Sequence, residues 1–271
     1  MSEYIQIEFQ QITSVQSDIL LAQLSSIGFE GFEEEENLLR AFIPSENFDE
    51  VLLKEITSFN NLSYTQSRIE ETNWNAVWES NFDPVIVDDF VSIRADFHEP
   101  IKLVEHEIVI TPKMSFGTGH HATTYMMIQQ IREIDFTEKT VFDFGTGTGV
   151  LAILAEILGA EKIAAVDNDD WSIENAKENF EKNNCNKIDL QKAEDAGTGK
   201  QYDIILANIN KNVILDNMSN LSQQLLSHGV LLLSGLLVED ETDIVKAAEK
   251  FKLKLARKTE RNNWIALKFT Y

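Results

Sequence analysis

The chain has 271 residues, which leaves room for one large and one small domain, and its hydrophobic content of 43% is ordinary for a globular protein. Its net charge of −22, from 45 acidic and 23 basic side chains, argues against direct binding of nucleic acid, whose phosphates require a basic surface, and is compatible with a basic partner. No apolar run approaches the roughly 20 residues that span a bilayer, no secretory signal is recognisable, and the single cysteine, Cys185, cannot form an internal disulfide, so we predict a cytoplasmic protein without membrane association.

The N-terminal part alternates short strand and helix patterns. In chain order we predict a strand over 4–9, a helix over 14–27 with Ser14 as a possible N-cap, and a hairpin formed by 29–32 and 38–43. A second helix over 45–59 and a last strand over 62–69 follow. This βαββαβ order predicts a small α+β domain of the ferredoxin-like kind. No catalytic constellation is visible in it, so roles in stability, dimerisation or substrate docking all remain open.

Two tryptophans follow this part of the chain. Trp74 and Trp78 are four positions apart, so they share one face of a predicted helix, and Phe82 continues that face. Packing between domains is the favoured role for them, ahead of substrate recognition. We therefore predict three parts: an N-terminal domain over 1–60, a linker with the tryptophan-bearing helix over 61–80, and a larger domain over 81–271.

A glycine-rich turn is the most informative motif. Residues 143–149 read Asp-Phe-Gly-Thr-Gly-Thr-Gly, between a predicted strand and a predicted helix over 150–158. Such glycines let the backbone approach a ligand, and the helix offers free N–H groups there. The G-x-G-x-G spacing differs from the dinucleotide fingerprint, and no Gly-Lys-Ser/Thr follows, which excludes a P-loop.

Two acids accompany the turn. Asp143 precedes the first glycine, and Asp167 ends the next predicted strand, 22 positions after Gly145, where an acid can bind ribose hydroxyls. Turn and acids together resemble the class I S-adenosylmethionine-dependent methyltransferases. An NAD site and a purely structural glycine turn are the alternatives.

A polar loop over residues 114–124 precedes a predicted helix over 125–131. Its two glycines and three threonines make it flexible and rich in hydrogen-bond donors, so it can lie over a bound cofactor. We expect Thr123 or Thr124 to cap the helix. His120 and His121 have no acidic partner in the sequence, so a general-base role is not favoured for either.

A third motif ends a predicted strand over residues 202–208. Asn208 falls where α/β sheets place their ligands, and its amide offers an acceptor for an amine and a donor for a cofactor. Asn-Ile-Asn-Lys lacks the prolines and the aromatic residue of DNA adenine-amine methylases, which disfavours a flipped base as substrate. A polar residue that merely starts the next helix is the alternative reading.

The remaining patterns complete an α/β sheet. Strands are predicted over 84–97, 106–112, 188–191 and 230–235, helices over 171–183, 213–226 and 239–251, and a closing hairpin with its last pair reversed over 253–258 and 264–269. We therefore predict a Rossmann-like, class I methyltransferase fold with a seven-stranded, mostly parallel sheet, preceded by the small α+β domain. No Cys/His cluster suggests a metal site.

In combination, residues 116–124, the turn 143–149, Asp167 and Ala207-Asn208-Ile209 resemble the bacterial ribosomal protein L11 methyltransferase family, over essentially the whole chain. The resemblance implies transfer of methyl groups from S-adenosylmethionine to lysine side chains and/or the N-terminal amine of a basic large-subunit ribosomal protein. It also implies that the N-terminal domain docks that substrate and that a flexible linker lets the catalytic domain reach several sites. Ala122 and Asn210 depart from the family, which often has proline and leucine at these positions, and Asn210 puts the shape of the acceptor pocket in question.

The resemblance also implies the site residues. Cofactor contacts fall on Thr124, Gly145, Asp167 and Asn208, and the glycine turn adds Gly147. Asn208 is expected to orient the amine, and no general base is assigned, because desolvation alone lowers the pKa of a lysine. A methyltransferase for another protein or a small molecule, and a non-catalytic binding module, are the other classes left open.

Overall fold

The structure is a computed structural model that describes residues 4–35, 37–60, 62–69, 82–113 and 117–271. The predicted helix with Trp74 and Trp78 lies outside the described residues, and so do residues 114–116 of the predicted loop. The chain divides into two compact units, Met1–Asn81 and Phe82–Tyr271.

The N-terminal unit contains four strands and two α-helices in its described residues. They are β1 (Tyr4–Gln10), α1 (Ser14–Ser26), β2 (Gly31–Glu35), β3 (Leu38–Pro44), α2 (Glu50–Asn60) and β4 (Thr65–Ile69). The strands pair antiparallel in the order β2-β3-β1-β4. Alternate residues of β1, among them Ile7 and Phe9, are fully buried and pack with Leu20 and Leu24 of α1.

The start of α1 corrects one prediction. Thr13, and not Ser14, is the N-cap, because the Thr13 hydroxyl accepts the Gln16 N–H at 3.3 Å while the Gln16 side chain accepts the Thr13 N–H at 2.9 Å. This reciprocal capping box satisfies two backbone donors that the helix itself leaves unpaired.

The larger unit begins with three short strands, β5 (Val85–Val87), β6 (Val91–Ala95) and β7 (His106–Ile110). They form a separate sheet with β6 in the middle. Strand β5 pairs antiparallel with β6, and β7 pairs parallel with β6. The single strand predicted over 84–97 is therefore wrong. Asp88 has a positive φ of 52° and the Phe90 N–H bonds back to Val87, so the chain turns between β5 and β6.

The central sheet of this unit has seven strands among the described residues, in the order β10-β9-β8-β11-β12-β14-β13. The elements are α3 (Ala122–Ile131), β8 (Thr140–Phe144), α4 (Val150–Ile157), β9 (Lys162–Asp167), α5 (Asp170–Lys182), β10 (Ile188–Lys192), β11 (Tyr202–Asn208), α6 (Lys211–Gln224), β12 (Leu225–Leu237), α7 (Glu241–Glu249), β13 (Lys254–Arg261) and β14 (Trp264–Thr270).

The C-terminal hairpin differs from the expected arrangement in one respect. Strand β14 inserts between β12 and β13 and is antiparallel to both. Strand β13 therefore runs in the direction of the parallel strands, and β14 is the one reversed strand of the described sheet. The start of β14 consequently lies at the edge where the parallel strands end.

The sheet is covered on both faces. Val141 and Leu206 belong to one apolar cluster, whereas Phe142 and Ile205, their neighbours in sequence, belong to the other. Strands buried on both faces are typical of parallel sheets whose crossovers are helices. The fold is thus the α/β, mostly parallel class I architecture that the sequence predicts. It brings the carboxyl ends of β8, β9 and β11 to one edge.

Candidate active site

The glycine turn connects β8 to α4 at this edge. Gly145, Gly147 and Gly149 all have positive φ values, of 78°, 55° and 82°. A Cβ atom on Gly145 would lie 2.3 Å from Cγ2 of Ile209, and one on Gly149 would lie 2.4 Å from the Phe180 ring. The turn therefore requires glycine both for its backbone conformation and for its close packing. Gly149 is the N-cap of α4 and supplies no side-chain hydrogen bond to the helix.

Asp167 is held against this turn. Its Oδ2 accepts the Gly147 N–H at 2.8 Å, and its Oδ1 accepts the Asp169 N–H at 3.1 Å. Each carboxylate oxygen has further lone-pair capacity, and Asp167 lines a cavity. The arrangement can accept hydrogen bonds from vicinal hydroxyls such as those of a ribose.

Asp143 lies beneath the same turn and is almost fully buried. Its pKa is raised to about 7, mainly by burial: the Thr146 hydroxyl, 2.7 Å from Oδ2, opposes the rise, repulsion from Asp167 adds to it, and the Ala152 N–H opposes it. The carboxyl consequently anchors the turn through Thr146. It does not line the cavity described below.

Asn208 ends β11 and is only 8% exposed. Its Nδ2 donates to Oγ1 of Thr124, in α3, at 3.2 Å. Its Oδ1 is buried and has no hydrogen-bond partner among the described residues. An unpaired buried acceptor costs about 1–3 kcal/mol, so a ligand N–H that reached this oxygen would gain that amount.

The cap of α3 is His121, which corrects the expected Thr123 or Thr124. The Thr123 N–H donates to Nδ1 of His121, and the Thr123 hydroxyl lies 2.7 Å from the same nitrogen. Thr124 therefore lies inside the helix, where its hydroxyl can meet Asn208. His120 is engaged elsewhere: Nε2 lies 2.9 Å from the Asp83 carbonyl and Nδ1 lies 3.1 Å from the Thr118 hydroxyl.

A cavity of about 460 Å³ extends along the carboxyl edge of the sheet. It brings together four of the five predicted cofactor residues: Gly145, Gly147, Asp167 and Asn208. The fifth, Thr124, faces an adjoining narrow space that Gly145 and Asn208 also line. Phe144, Ile209 and Asn210, which belong to the motifs of the sequence analysis, also line it. The wall is completed by residues to which the sequence analysis assigned no such place, namely His121, Asn168, Ser172, Ala193, Glu194, Val213, Gly235 and Trp264.

Some of these additional residues carried a signal in the sequence. Glu194 comes shortly after the end of β10, and Asp167 likewise stands at the end of β9. An acid that follows a predicted parallel strand was therefore a signal for this edge of the sheet. Trp264 gave none, because a tryptophan at the start of the last strand is indistinguishable from a core residue until the position of β14 is known. Among the described residues, no group of three or more His, Cys, Asp or Glu side chains is arranged to hold a metal ion. Nor is any described helix both long and apolar enough to cross a membrane.

The site fits an adenosine-bearing ligand that also carries an N–H donor. The glycine turn lets a ligand approach the backbone closely, and Asp167 is placed to bind ribose hydroxyls. No described residue donates a hydrogen bond to the buried Oδ1 of Asn208. Fold and site together define a class I S-adenosylmethionine-dependent methyltransferase.

The family follows from comparison with known proteins. Residues 6–271 match the family model described as "Ribosomal protein L11 methyltransferase (PrmA)". The chain belongs to this family.

Members of this family align with nearly the whole chain. A ribosomal protein L11 methyltransferase of Porphyromonas gingivalis is 41% identical over 261 residues, covering 93% of this chain and 90% of the relative. One of Phocaeicola vulgatus is 37% identical, covering 93% of each. The crystal structure of a ribosomal protein L11 methylase from Lactobacillus delbrueckii subsp. bulgaricus superposes with a TM-score of 0.65 at 29% identity, covering 70% of this chain and 98% of that one.

Proposed function

We propose that this protein transfers methyl groups from S-adenosylmethionine to amino groups of ribosomal protein L11, namely lysine side chains and/or the N-terminal amine. The observation that carries the proposal is the family match over residues 6–271, which spans both units. The chemistry is supported by the Asn208 oxygen at the wall of the cavity, which has no hydrogen-bond partner in the part of the chain that the structure describes.

Five residues hold the cofactor in this proposal. The backbone at Gly145 and Gly147 lies against it, and Asp167 accepts hydrogen bonds from its ribose hydroxyls. Asn208 accepts an N–H donor from the ligand side, and Thr124 fixes the Asn208 amide. S-Adenosylmethionine supplies a methyl group bonded to a positively charged sulfur, which keeps the bonding electron pair when the methyl group leaves.

Asn208 orients the acceptor amine by the same buried oxygen. An amine must be neutral to attack, whereas a lysine has an unperturbed pKa of about 10.4. Transfer from water to a mostly apolar cavity disfavours the charged form and lowers that pKa. The nitrogen lone pair forms the new N–C bond as the S–C bond breaks, and the resulting ammonium releases its proton to water. Alignment of the two reactants is the main catalytic contribution asked of the protein.

Charge supports a basic partner. The net charge of −22 attracts a basic protein and repels nucleic acid, so neither nucleic acid nor a membrane is a substrate in this proposal. Residues 1–60 dock the ribosomal protein, residues 61–80 link the parts, and residues 81–271 carry out catalysis in the cytoplasm. Within the N-terminal unit, β2 presents Glu33 and Glu35, both about 60% exposed, although each also pairs with Arg40.

Incubation with methyl-labelled S-adenosylmethionine and ribosomal fractions tests the proposal. We expect label in one ribosomal protein, identified as L11 by mass spectrometry, and none in ribosomal RNA. Label in RNA, in a small molecule or in many proteins would contradict it. Binding of the cofactor without any transfer would instead favour a binding module.

A further inference from the structure

The cavity continues past Asn208, away from Asp167. Along the sheet edge, Asp167 ends β9, Asn208 ends β11 and Trp264 starts β14, so Asn208 is two strands from each. At a spacing of about 4.8 Å between strands, Asp167 and Trp264 are roughly 19 Å apart along this edge. If the ribose lies at Asp167 and the transferred methyl group near Asn208, the part beyond Asn208 is left for the acceptor.

Two aromatic side chains in mutual contact line this part. The His121 ring meets the Trp264 indole edge to face, with centroids 4.6 Å apart and planes at 74°. Thr123 holds the His121 ring through Nδ1. Gly235 lets the backbones pass closely here, because a Cβ atom on it would lie 2.2 Å from the Ile209 carbonyl oxygen. Four separate chain segments therefore meet here, those of His121, Ile209, Gly235 and Trp264.

The chemistry of this end differs from that of the ribose end. None of the described residues that line it is a carboxylate; they are His121, Asn208, Ile209, Asn210, Val213, Gly235 and Trp264. Arg261, opposite Trp264 in the hairpin, has its guanidinium 3.8 Å from the centre of the Tyr125 ring. An aromatic face without a carboxylate accommodates a neutral amine, and it also attracts the positive charge that develops on the nitrogen.

We propose that Trp264 is a specificity-determining residue of this enzyme: its indole contacts the acceptor amine and the methyl groups that the amine gains. His121 acts as a positioning residue for the indole. The inference rests on the proposed function, since it assigns the acceptor end of the same cavity.

Two tryptophans provide a matched test. Trp264→Ala and Trp264→Phe are compared with Trp171→Ala and Trp171→Phe, because Trp171 lies in the first turn of α5, is 75% exposed and does not line the cavity. For Trp264→Ala we expect the KM for L11 to rise about tenfold, because the apolar contact between the indole and the bound side chain is lost, with the cofactor Kd within about twofold of wild type. The ratio of singly to multiply methylated product should also change. Trp264→Phe, which keeps an aromatic ring, should have a KM and a product ratio between those of wild type and Trp264→Ala.

Each outcome decides the matter. The inference would be overturned if Trp264→Ala and Trp264→Phe both matched the corresponding Trp171 variants in KM and product ratio. It would also be overturned if cofactor binding weakened by the same factor as the KM for L11 rises. Should Trp264→Ala fail to fold by circular dichroism, the KM and product ratio of Trp264→Phe decide alone. A wild-type protein that methylates no ribosomal protein would overturn the proposed function itself, which is a different result.

His121→Asn tests the positioning role. Asparagine is also a good N-cap acceptor, so α3 keeps its cap while the ring against Trp264 is lost. We expect the KM for L11 to rise about threefold or more with kcat nearly unchanged, because the edge-to-face contact that orients the indole is lost. An unchanged KM would contradict this role.

Discussion

The side-chain amide of Asn208 donates a hydrogen bond to the hydroxyl of Thr124, with 3.2 Å between the two atoms. The bond joins the end of β11 to α3 across 84 positions of sequence. It orients the amide so that the Asn208 oxygen is buried and has no hydrogen-bond partner among the described residues. Thr124 thereby determines which atom of Asn208 is presented to a ligand.

This relationship predicts graded effects at the two positions. Asn208→Ala removes the presented oxygen and should lower kcat by about 100-fold or more, as for loss of a positioned polar group in other active sites. Thr124→Val removes the acceptor that orients the amide and should lower kcat about tenfold, whereas Thr124→Ser keeps the hydroxyl and most of the activity. Steady-state kinetics with L11 check this order, and near-normal turnover of Asn208→Ala would refute it.

Asp167→Ala should weaken S-adenosylmethionine binding about 10- to 100-fold. Charge-assisted hydrogen bonds contribute about 1.5–3 kcal/mol, and the variant loses those to the ribose as well as the bond to Gly147. Asp170→Ala is the control, because Asp170 is a nearby acid whose side chain is 76% exposed and pairs with Lys192. Isothermal titration calorimetry measures both, and equal affinities for the two variants would exclude the ribose role.

Gly145→Ala should abolish measurable cofactor binding and destabilise the fold. The new Cβ would lie 2.3 Å from Ile209, in addition to the strain of a positive φ, which costs about 1–3 kcal/mol. Gly199→Ala separates the two effects, because Gly199 also has a positive φ, of 67°, but has no atom within 4 Å of the added Cβ. Gly199→Ala should lose some stability in chemical denaturation and keep its cofactor affinity; a parallel loss of affinity would contradict the steric explanation.

The buried carboxyl of Asp143 should make the free energy of unfolding depend on pH. Its pKa is about 7 in the folded protein and close to 3.9 when unfolded, so the folded state binds the proton more tightly. Between about pH 4 and 7 the folded state holds more protons than the unfolded state, so this group lowers the free energy of unfolding as pH rises, by a few kcal/mol in all. Below pH 4 and above pH 7 its contribution no longer changes.

Asp143→Asn is the test, since asparagine keeps an acceptor for the Thr146 hydroxyl and cannot ionise. The free energy of unfolding of the variant, relative to wild type, should increase from pH 4 to pH 7 and then level off. Urea denaturation at several pH values measures the difference, in which the titration of the other acids cancels. Curves that stay parallel over this range would contradict the raised pKa.

Much of the fold and part of the site could be predicted from the sequence, because the signals are local. The turn 143–149, Asp167 and Asn208 each follow directly after an apolar strand pattern, and parallel strands bring such ends to one edge. The cap of α3 could not be predicted, since His121, Thr123 and Thr124 are all polar and only geometry selects among them. The contact of His121 with Trp264 depends on β14 inserting beside β12, which no local pattern specifies.

The most direct test of the central claim is the intact mass of purified L11 after incubation with this protein and S-adenosylmethionine, with Asn208→Ala as the matched control. We predict a mass increase of one or more methyl groups with wild type, located by fragmentation on lysine side chains and/or the N-terminal amine, and little or none with Asn208→Ala. An unchanged mass of L11 with a folded, cofactor-binding wild-type protein would contradict the account.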